Sequence, residues 1–84
     1  MVRVLLAPEG QADFEALPPV IKARVLRIVE RLQRWPEVSG AKPLRGRWTG
    51  HYRIRTGDWR VIFRVVAPDL IVVRIQHRSK VYEG

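Results

Sequence analysis

The spacing of apolar residues changes along the chain, and the first clear pattern is helical. From Pro19 to Pro36, apolar residues recur every three or four positions, which predicts an amphipathic helix that Pro36 ends. Its apolar stripe consists of Ile21, Val25, Ile28, Val29, Leu32 and Trp35. A flanking basic stripe consists of Arg24, Arg27, Arg31 and Arg34. Arginines beside an apolar stripe are typical of a solvated helix face, and this interpretation is favoured over a binding role.

The segments around this helix predict the rest of the fold. Val2–Ala7 is typical of a strand that ends at Pro8, and residues 8–17 predict a short acidic helix. After residue 50 the period becomes two, which predicts three antiparallel strands at His51–Thr56, Trp59–Val66 and Leu70–His77. The order is β-α-α-β-β-β. The sequence therefore predicts a single α+β domain over residues 1–84, in which a helical hairpin packs on one face of an antiparallel sheet.

Turn residues predict the register of these strands. Gly57-Asp58 is typical of a two-residue type II′ hairpin loop, which pairs Arg55 with Arg60. A three-residue loop over residues 67–69 then pairs Phe63 with Val73 and Val61 with Ile75. The expected core face consists of Tyr52, Ile54, Trp59, Val61, Phe63, Val65, Ile71, Val73 and Ile75.

The opposite sheet face, here called the arginine face, is expected to carry a cluster of cations. It consists of Arg53, Arg55, Arg60, Arg64, Arg74 and Arg78, followed by Lys80 and Tyr82 if the chain stays extended. No acid is expected on it. Like charges paired across strands destabilise a sheet, and the planar fork of arginine matches phosphate. We therefore interpret this face as a phosphate-binding surface rather than a solvated one.

The composition of the chain limits the classes of molecule that this surface can bind. The 84 residues carry a net charge of +8 and no cysteine, so disulfides and thiolate chemistry are excluded. Residues 1–41 hold six basic and five acidic side chains, whereas residues 42–84 hold ten and three. Such asymmetry indicates a polyanionic partner, which could be nucleic acid, an acidic protein or anionic lipid. No apolar run is long enough for a membrane span or a signal peptide, so a soluble, cytoplasmic protein is expected.

Known catalytic patterns leave one chemistry open. No glycine-rich phosphate loop follows a strand, and His51 and His77 lack carboxylates at metal-ligand spacing, so neither metal nor cofactor is expected. Metal-independent cleavage of RNA remains. The substrate's 2′-hydroxyl attacks the adjacent phosphorus, which requires a base, cations around the phosphorane and an acid at the leaving oxygen. Arginines supply the cations, and Tyr82 or His77 could transfer protons.

Two segments carry a resemblance to a known family. "YRIRTGDWRVIF" at residues 52–63 and "IQHRSKVY" at residues 75–82 resemble the RelE/ParE toxin superfamily of toxin–antitoxin systems. The resemblance implies the fold predicted above. For the RelE-like branch it implies an mRNA interferase that cuts messages on the ribosome. The implied positions are Arg53 and Arg55, then Arg60, then Arg78 and Tyr82, with the tyrosine as base and Arg78 as acid or charge stabiliser.

The resemblance leaves the branch open. Arg53 and Arg55 stand where family members often have lysine, so they would act only electrostatically. His77 faces the core in the predicted register and is ranked below Tyr82 for proton transfer. The alternative is a ParE-type toxin that inhibits DNA gyrase without cleaving RNA, and a third is an inactive RNA-binding module. Either toxin branch implies a cognate antitoxin as partner.

Overall fold

The computed structural model describes residues 1–80, and its elements follow the predicted order with small additions. In chain order they are β1 (Arg3–Leu6), α1 (Pro8–Glu15), α2 (Pro19–Leu32), β2 (Lys42–Pro43), β3 (His51–Thr56), β4 (Trp59–Val66) and β5 (Asp69–His77). Short 3-10 helices occupy Gly46–Trp48 and Arg78–Lys80. The strand β2 was not predicted, because two residues are too short to show a periodicity.

The two helices cover one face of the sheet and close the core. Each begins at a proline, whose fixed φ and missing N–H suit the first turn of a helix. From α2, Val25, Ile28 and Leu32 are buried against the sheet, as the helical spacing predicted. The sheet contributes Ile54, Val61 and Phe63 among others, and Trp35 packs edge-on against Phe63. The predicted α+β architecture is confirmed.

The sheet has the order β1-β5-β4-β3-β2. All neighbouring strands are antiparallel except β1, which pairs parallel with β5, so the sheet is mixed. The β3–β4 hairpin has the predicted register, with Arg55 opposite Arg60. Gly57 has a φ of +59°, and no described non-glycine residue, Asp58 included, has a positive φ. One positive φ, at the first loop position, is the signature of the predicted type II′ turn.

The β4–β5 hairpin corrects part of the predicted register. Val66 pairs with Asp69, so its loop has two residues rather than three. The strands return to the predicted pairing of Val61 with Ile75 only because a bulge interrupts the ladder after Ile62. Phe63 therefore faces Val72 instead of Val73. The buried residues near the turn are Leu70 and Val72, and the expectation that Val65, Ile71 and Val73 fill the core was wrong.

Helix α1 covers the edge of β5 beyond the end of β1. The parallel pairing stops at Leu6, and Ala7 donates its N–H to the carbonyl of Val72. A Cβ built on Gly10 would lie only 2.5 Å from that carbonyl oxygen, so this close approach requires glycine. One turn later, the Asp13 carboxylate accepts the N–H of Ile75 at 2.9 Å. The Asp13 side chain thus accepts a backbone N–H of β5 at a position where β1 no longer pairs with that strand.

Within residues 1–80, the helices are too short and too polar for any of them to cross a membrane.

Candidate functional site

The arginine face of the sheet lies opposite the helices, as the hairpin register predicted. Arg53 and Arg55 on β3 alternate with the core residue Ile54, and Arg60 on β4 alternates with the core residue Val61. Arg60 is only 8% exposed, although arginine is seldom fully buried in proteins. The pairing of Arg55 with Arg60 therefore concentrates positive charge where one of the two side chains is removed from water.

A cleft forms at the hairpin end of this face. It has a volume of about 530 Å³ and is here called the hairpin cleft. Its lining residues are Arg55, Gly57, Asp58, Trp59, Arg60, Arg78 and Ser79. Three of the predicted site residues therefore meet in one cavity, and Asp58 is the only acid among its described lining residues.

Arg78 reaches the cleft because the chain bends after β5. The last ladder pair joins Trp59 to His77, and the N–H of Arg78 then donates to the carbonyl of Asp58 at 2.7 Å. This bond attaches the 3-10 helix at Arg78–Lys80 to the β3–β4 turn. The Arg78 side chain also lies 3.9 Å from the Asp58 carboxylate. Both of these side chains are largely exposed, so the ion pair is weak and a stronger anion can displace it.

Arg74 differs from the arginines of the cleft. Its Nε donates to Asp13 at 2.8 Å, and this hydrogen bond is the main cause of the raised pKa of Arg74. With Asp13 beside Arg74 and Asp58 beside Arg78, the expectation that no acid accompanies these arginines was wrong. The reason lies in the tertiary structure, because Asp13 comes from α1 and is 61 positions away in the sequence.

The remaining predicted residues lie around the cleft rather than in it. A second hollow of about 240 Å³, the α1 hollow, is lined by Asp13, Trp59, Arg74, His77 and Lys80 among others. The His77 ring packs edge-on against Trp59, and its Nδ1 lies 2.9 Å from the Ser79 hydroxyl. Arg64 pairs with His51 and Ile71, four residues further along β4 than Arg60, at about 13 Å for an extended strand. Tyr82 lies outside the described residues.

Sequence reasoning missed three features of the cleft. Trp59 was expected in the core, but it is half-buried and separates the hairpin cleft from the α1 hollow. Ser79 was not considered, and Asp58 was read only as a turn residue. The local pattern held no signal for Ser79, since its place depends on the bend after β5.

No group of three or more potential metal ligands occurs among residues 1–80.

The chemical capacity of the hairpin cleft follows from its charges. Three guanidinium groups can donate several hydrogen bonds to the oxygens of one phosphate, and Arg60 lines the cleft from a largely buried position. Electrostatic stabilisation is worth more where water is excluded. The cleft is therefore suited to a phosphate that gains negative charge during a reaction.

Known proteins provide an independent comparison. The chain is 32% identical to toxin RelG of Mycobacterium tuberculosis, with 87% of this chain and 86% of RelG covered. It is 28% identical to toxin RelE3 of Methanocaldococcus jannaschii over 98% of this chain and 97% of RelE3. Its fold matches the crystal structure of the toxin–antitoxin complex RelBE2 from M. tuberculosis with a TM-score of 0.79 and 29% identity, covering 92% of this chain and 98% of the matched one.

The family comparison covers most of the chain. The model of the ParE toxin of type II toxin–antitoxin systems matches residues 4–82. Two of the relatives bear RelE-type names, whereas the family model bears the ParE name, and both belong to one superfamily. With this sequence match and the shared fold, the chain belongs to the RelE/ParE superfamily and is a toxin of a type II toxin–antitoxin system.

Proposed function

We propose that this toxin is a metal-independent endoribonuclease that cleaves mRNA, with the ribosome as the place of action. The observation that carries the proposal is the convergence of Arg55, Arg60 and Arg78 in the hairpin cleft. Three guanidinium groups around one cavity are suited to a phosphate that gains negative charge during a reaction, which a nuclease requires. The RelE-type names of two relatives support the same choice.

Three residues have separate roles in the proposed cleavage reaction. Tyr82 acts as the base that takes the proton of the 2′-hydroxyl, whose oxygen then attacks the adjacent phosphorus. Arg60 and Arg78 donate to the phosphorane oxygens as negative charge develops. The bond from phosphorus to the 5′-oxygen breaks, and Arg78 stabilises the negative charge that develops on this oxygen. The departing oxygen takes a proton from solvent water and becomes the 5′-hydroxyl. The products are a 2′,3′-cyclic phosphate and a 5′-hydroxyl end.

The other cations hold the RNA backbone on either side of the reacting phosphate. Arg55 lines the cleft itself, Arg53 follows on the same face of β3, and Lys80 lies in the α1 hollow. Arg64 extends the basic surface along β4. Arg74 contributes less, because a phosphate has to compete with Asp13 for its guanidinium. His77 lines the α1 hollow and not the hairpin cleft, and in this proposal Tyr82 is preferred to it for proton transfer.

A cognate antitoxin is the protein partner in this proposal. The matched structures from M. tuberculosis and M. jannaschii are complexes of a toxin with its antitoxin. An antitoxin with acidic side chains would pair with the arginine face and compete with RNA for it. Toxin, antitoxin and message would then meet in the cytoplasm.

The alternative function is that of a ParE-type toxin that binds DNA gyrase. The observation in its favour is the family model, which carries the ParE name and matches residues 4–82. In that case Arg60 has a structural role, and the cleft is not a reaction site.

One experiment separates the two functions. Primer extension on messages from translating ribosomes should show new 5′ ends when the wild-type toxin is added. The Tyr82→Phe variant should retain ribosome binding and lose about 10²–10⁴-fold in cleavage rate, the usual contribution of a general base. His77→Gln serves as the matched control and should stay near the wild-type rate. Normal cleavage by Tyr82→Phe would refute the base assignment, and arrest of gyrase supercoiling without any cut message would establish the ParE function.

A further inference from the structure

Three arginines of the basic stripe on α2, Arg24, Arg27 and Arg31, line one wall of a groove. A hollow of about 330 Å³, here called the helix groove, lies between α2 and β3. Its lining residues are Arg24, Arg27, Ile28, Arg31, Arg55 and Thr56. Ile28 is 4% exposed and belongs to the core, so the groove has an apolar floor and cationic walls.

The helix groove adjoins the hairpin cleft at two points. Arg55 lines both cavities. Gly57 lines the cleft, and a Cβ built on it would lie 3.4 Å from Nη1 of Arg24. The guanidinium of Arg24 therefore lies beside the β3–β4 turn. A strand that leaves the cleft on the arginine face would pass Arg55 to reach the groove on the α2 side of β3.

The charges of the groove are available to a partner. Arg24 and Arg27 are exposed, and no carboxylate of residues 1–80 forms an ion pair with either of them. Arg31 is oriented by a hydrogen bond of 2.7 Å to the carbonyl of Ser39, which leaves its positive charge uncompensated. From Arg24 to Arg31 the helix rises by about 10 Å, enough for cations to contact more than one phosphate of a strand.

We propose that the helix groove binds the sugar-phosphate backbone of the same RNA strand that the hairpin cleft cleaves, so that flanking nucleotides run past Arg55 along α2. This inference rests on the proposed function, because it extends the RNA path from the cleft. An RNA backbone fits the groove better than an acidic protein does. The described lining residues present four arginines and no acid, a set of one sign that matches the regularly spaced negative charges of a sugar-phosphate backbone.

The test uses binding of uncleavable oligonucleotides of two lengths. Single strands of 2′-O-methyl RNA lack the attacking hydroxyl, and lengths of about four and about twelve nucleotides would fill the cleft alone or the cleft and the groove. The wild type should bind the long strand more tightly. The double variant Arg24→Gln/Arg27→Gln should lose about tenfold in affinity for the long strand. Its salt dependence should fall by about 1.4 log units per log salt, since each lost phosphate contact accounts for about 0.7.

Controls make the outcome specific. The same double variant should bind the short strand like the wild type, because neither arginine lines the cleft. The charge-matched variant Arg45→Gln/Arg47→Gln removes two exposed cations that line none of the three cavities, and should keep the gain with length.

Three results would overturn the inference. The first is a wild type that binds the short strand but gains nothing with length, which refutes the groove alone. The second is a wild type that binds neither strand, which refutes the RNA-binding cleft and the groove with it. The third is an Arg24→Gln/Arg27→Gln variant that keeps its gain with length but loses affinity for the antitoxin, which would make the groove a protein contact.

Discussion

Two arginines on neighbouring strands, Arg60 on β4 and Arg74 on β5, show how differently one residue type is used. Arg74 forms hydrogen bonds with Asp13, whose carboxylate also accepts the Ile75 N–H. Its charge thus joins α1 to the edge of the sheet. Arg60 lies deeper, at 8% exposure, and lines a cleft together with two other arginines and a single acid.

The surroundings of the two residues differ in charge composition, because Arg74 lies beside an acid of α1, whereas the described lining of the hairpin cleft holds three arginines and one acid. At the β5–α1 corner, donor and acceptor match within the chain, and nothing is gained by adding an external anion. At the hairpin end, the described lining residues bring three cations and one acid together, which favours an anion from outside. A cluster of like charges is unfavourable for folding, so it indicates a binding site better than the number of arginines does.

The largest expected effect is on the cleavage rate, when Arg60 is replaced. Arg60→Gln should lower the cleavage rate by about 10²–10³-fold, because the loss of one preorganised charge or hydrogen-bond donor to the transition state has that size. Arg74→Gln, the matched change on the next strand, should leave the rate within about threefold of wild type. The measurement is single-turnover cleavage of mRNA on programmed ribosomes, with circular dichroism to establish that each variant is folded. Equal losses in the two variants would refute the distinction between them.

A smaller effect is expected on the free energy of unfolding, when the partner of Arg74 is removed. Asp13→Ala removes the partner of the Arg74 guanidinium and of the Ile75 N–H, and we expect a loss of about 1–2 kcal/mol in the free energy of unfolding. Asp13→Asn keeps an oxygen for the N–H and should lose less. Urea unfolding measures both values. An unchanged midpoint for Asp13→Ala would show that the corner does not depend on this carboxylate.

The smallest effect is expected at Asp58, the one acid among the described lining residues of the hairpin cleft. Asp58→Asn removes a competing anion near Arg78 and keeps the backbone carbonyl that accepts the Arg78 N–H. Exposed ion pairs contribute about 0.2–1 kcal/mol, so the affinity for single-stranded RNA should rise by about 1.5- to 5-fold. Fluorescence anisotropy with a short oligonucleotide provides the measurement, and a Glu15→Gln variant outside the cavities controls for net charge. A fall in affinity would mean that Asp58 supports the cleft rather than competing in it.

Local pattern was sufficient to predict the two helices, the four longer strands, the β3–β4 register and the face shared by Arg53, Arg55 and Arg60. The reason is that the helical and strand periods are carried by side chains a few residues apart, and Gly57 permits the positive φ that a type II′ turn requires. The same pattern, together with the resemblance, predicted the family.

The packing of distant segments determines that Arg74 meets an acid and which arginines line each cavity. Asp13 meets Arg74 across 61 positions, and Arg24 comes to lie beside Gly57 because α2 packs over the sheet. The bulge after Ile62 also lies beyond local pattern, since a β-bulge shifts which side chains face the core without changing their order in the sequence. Contacts between distant segments depend on how whole elements pack, and a sequence of local periods does not contain that information.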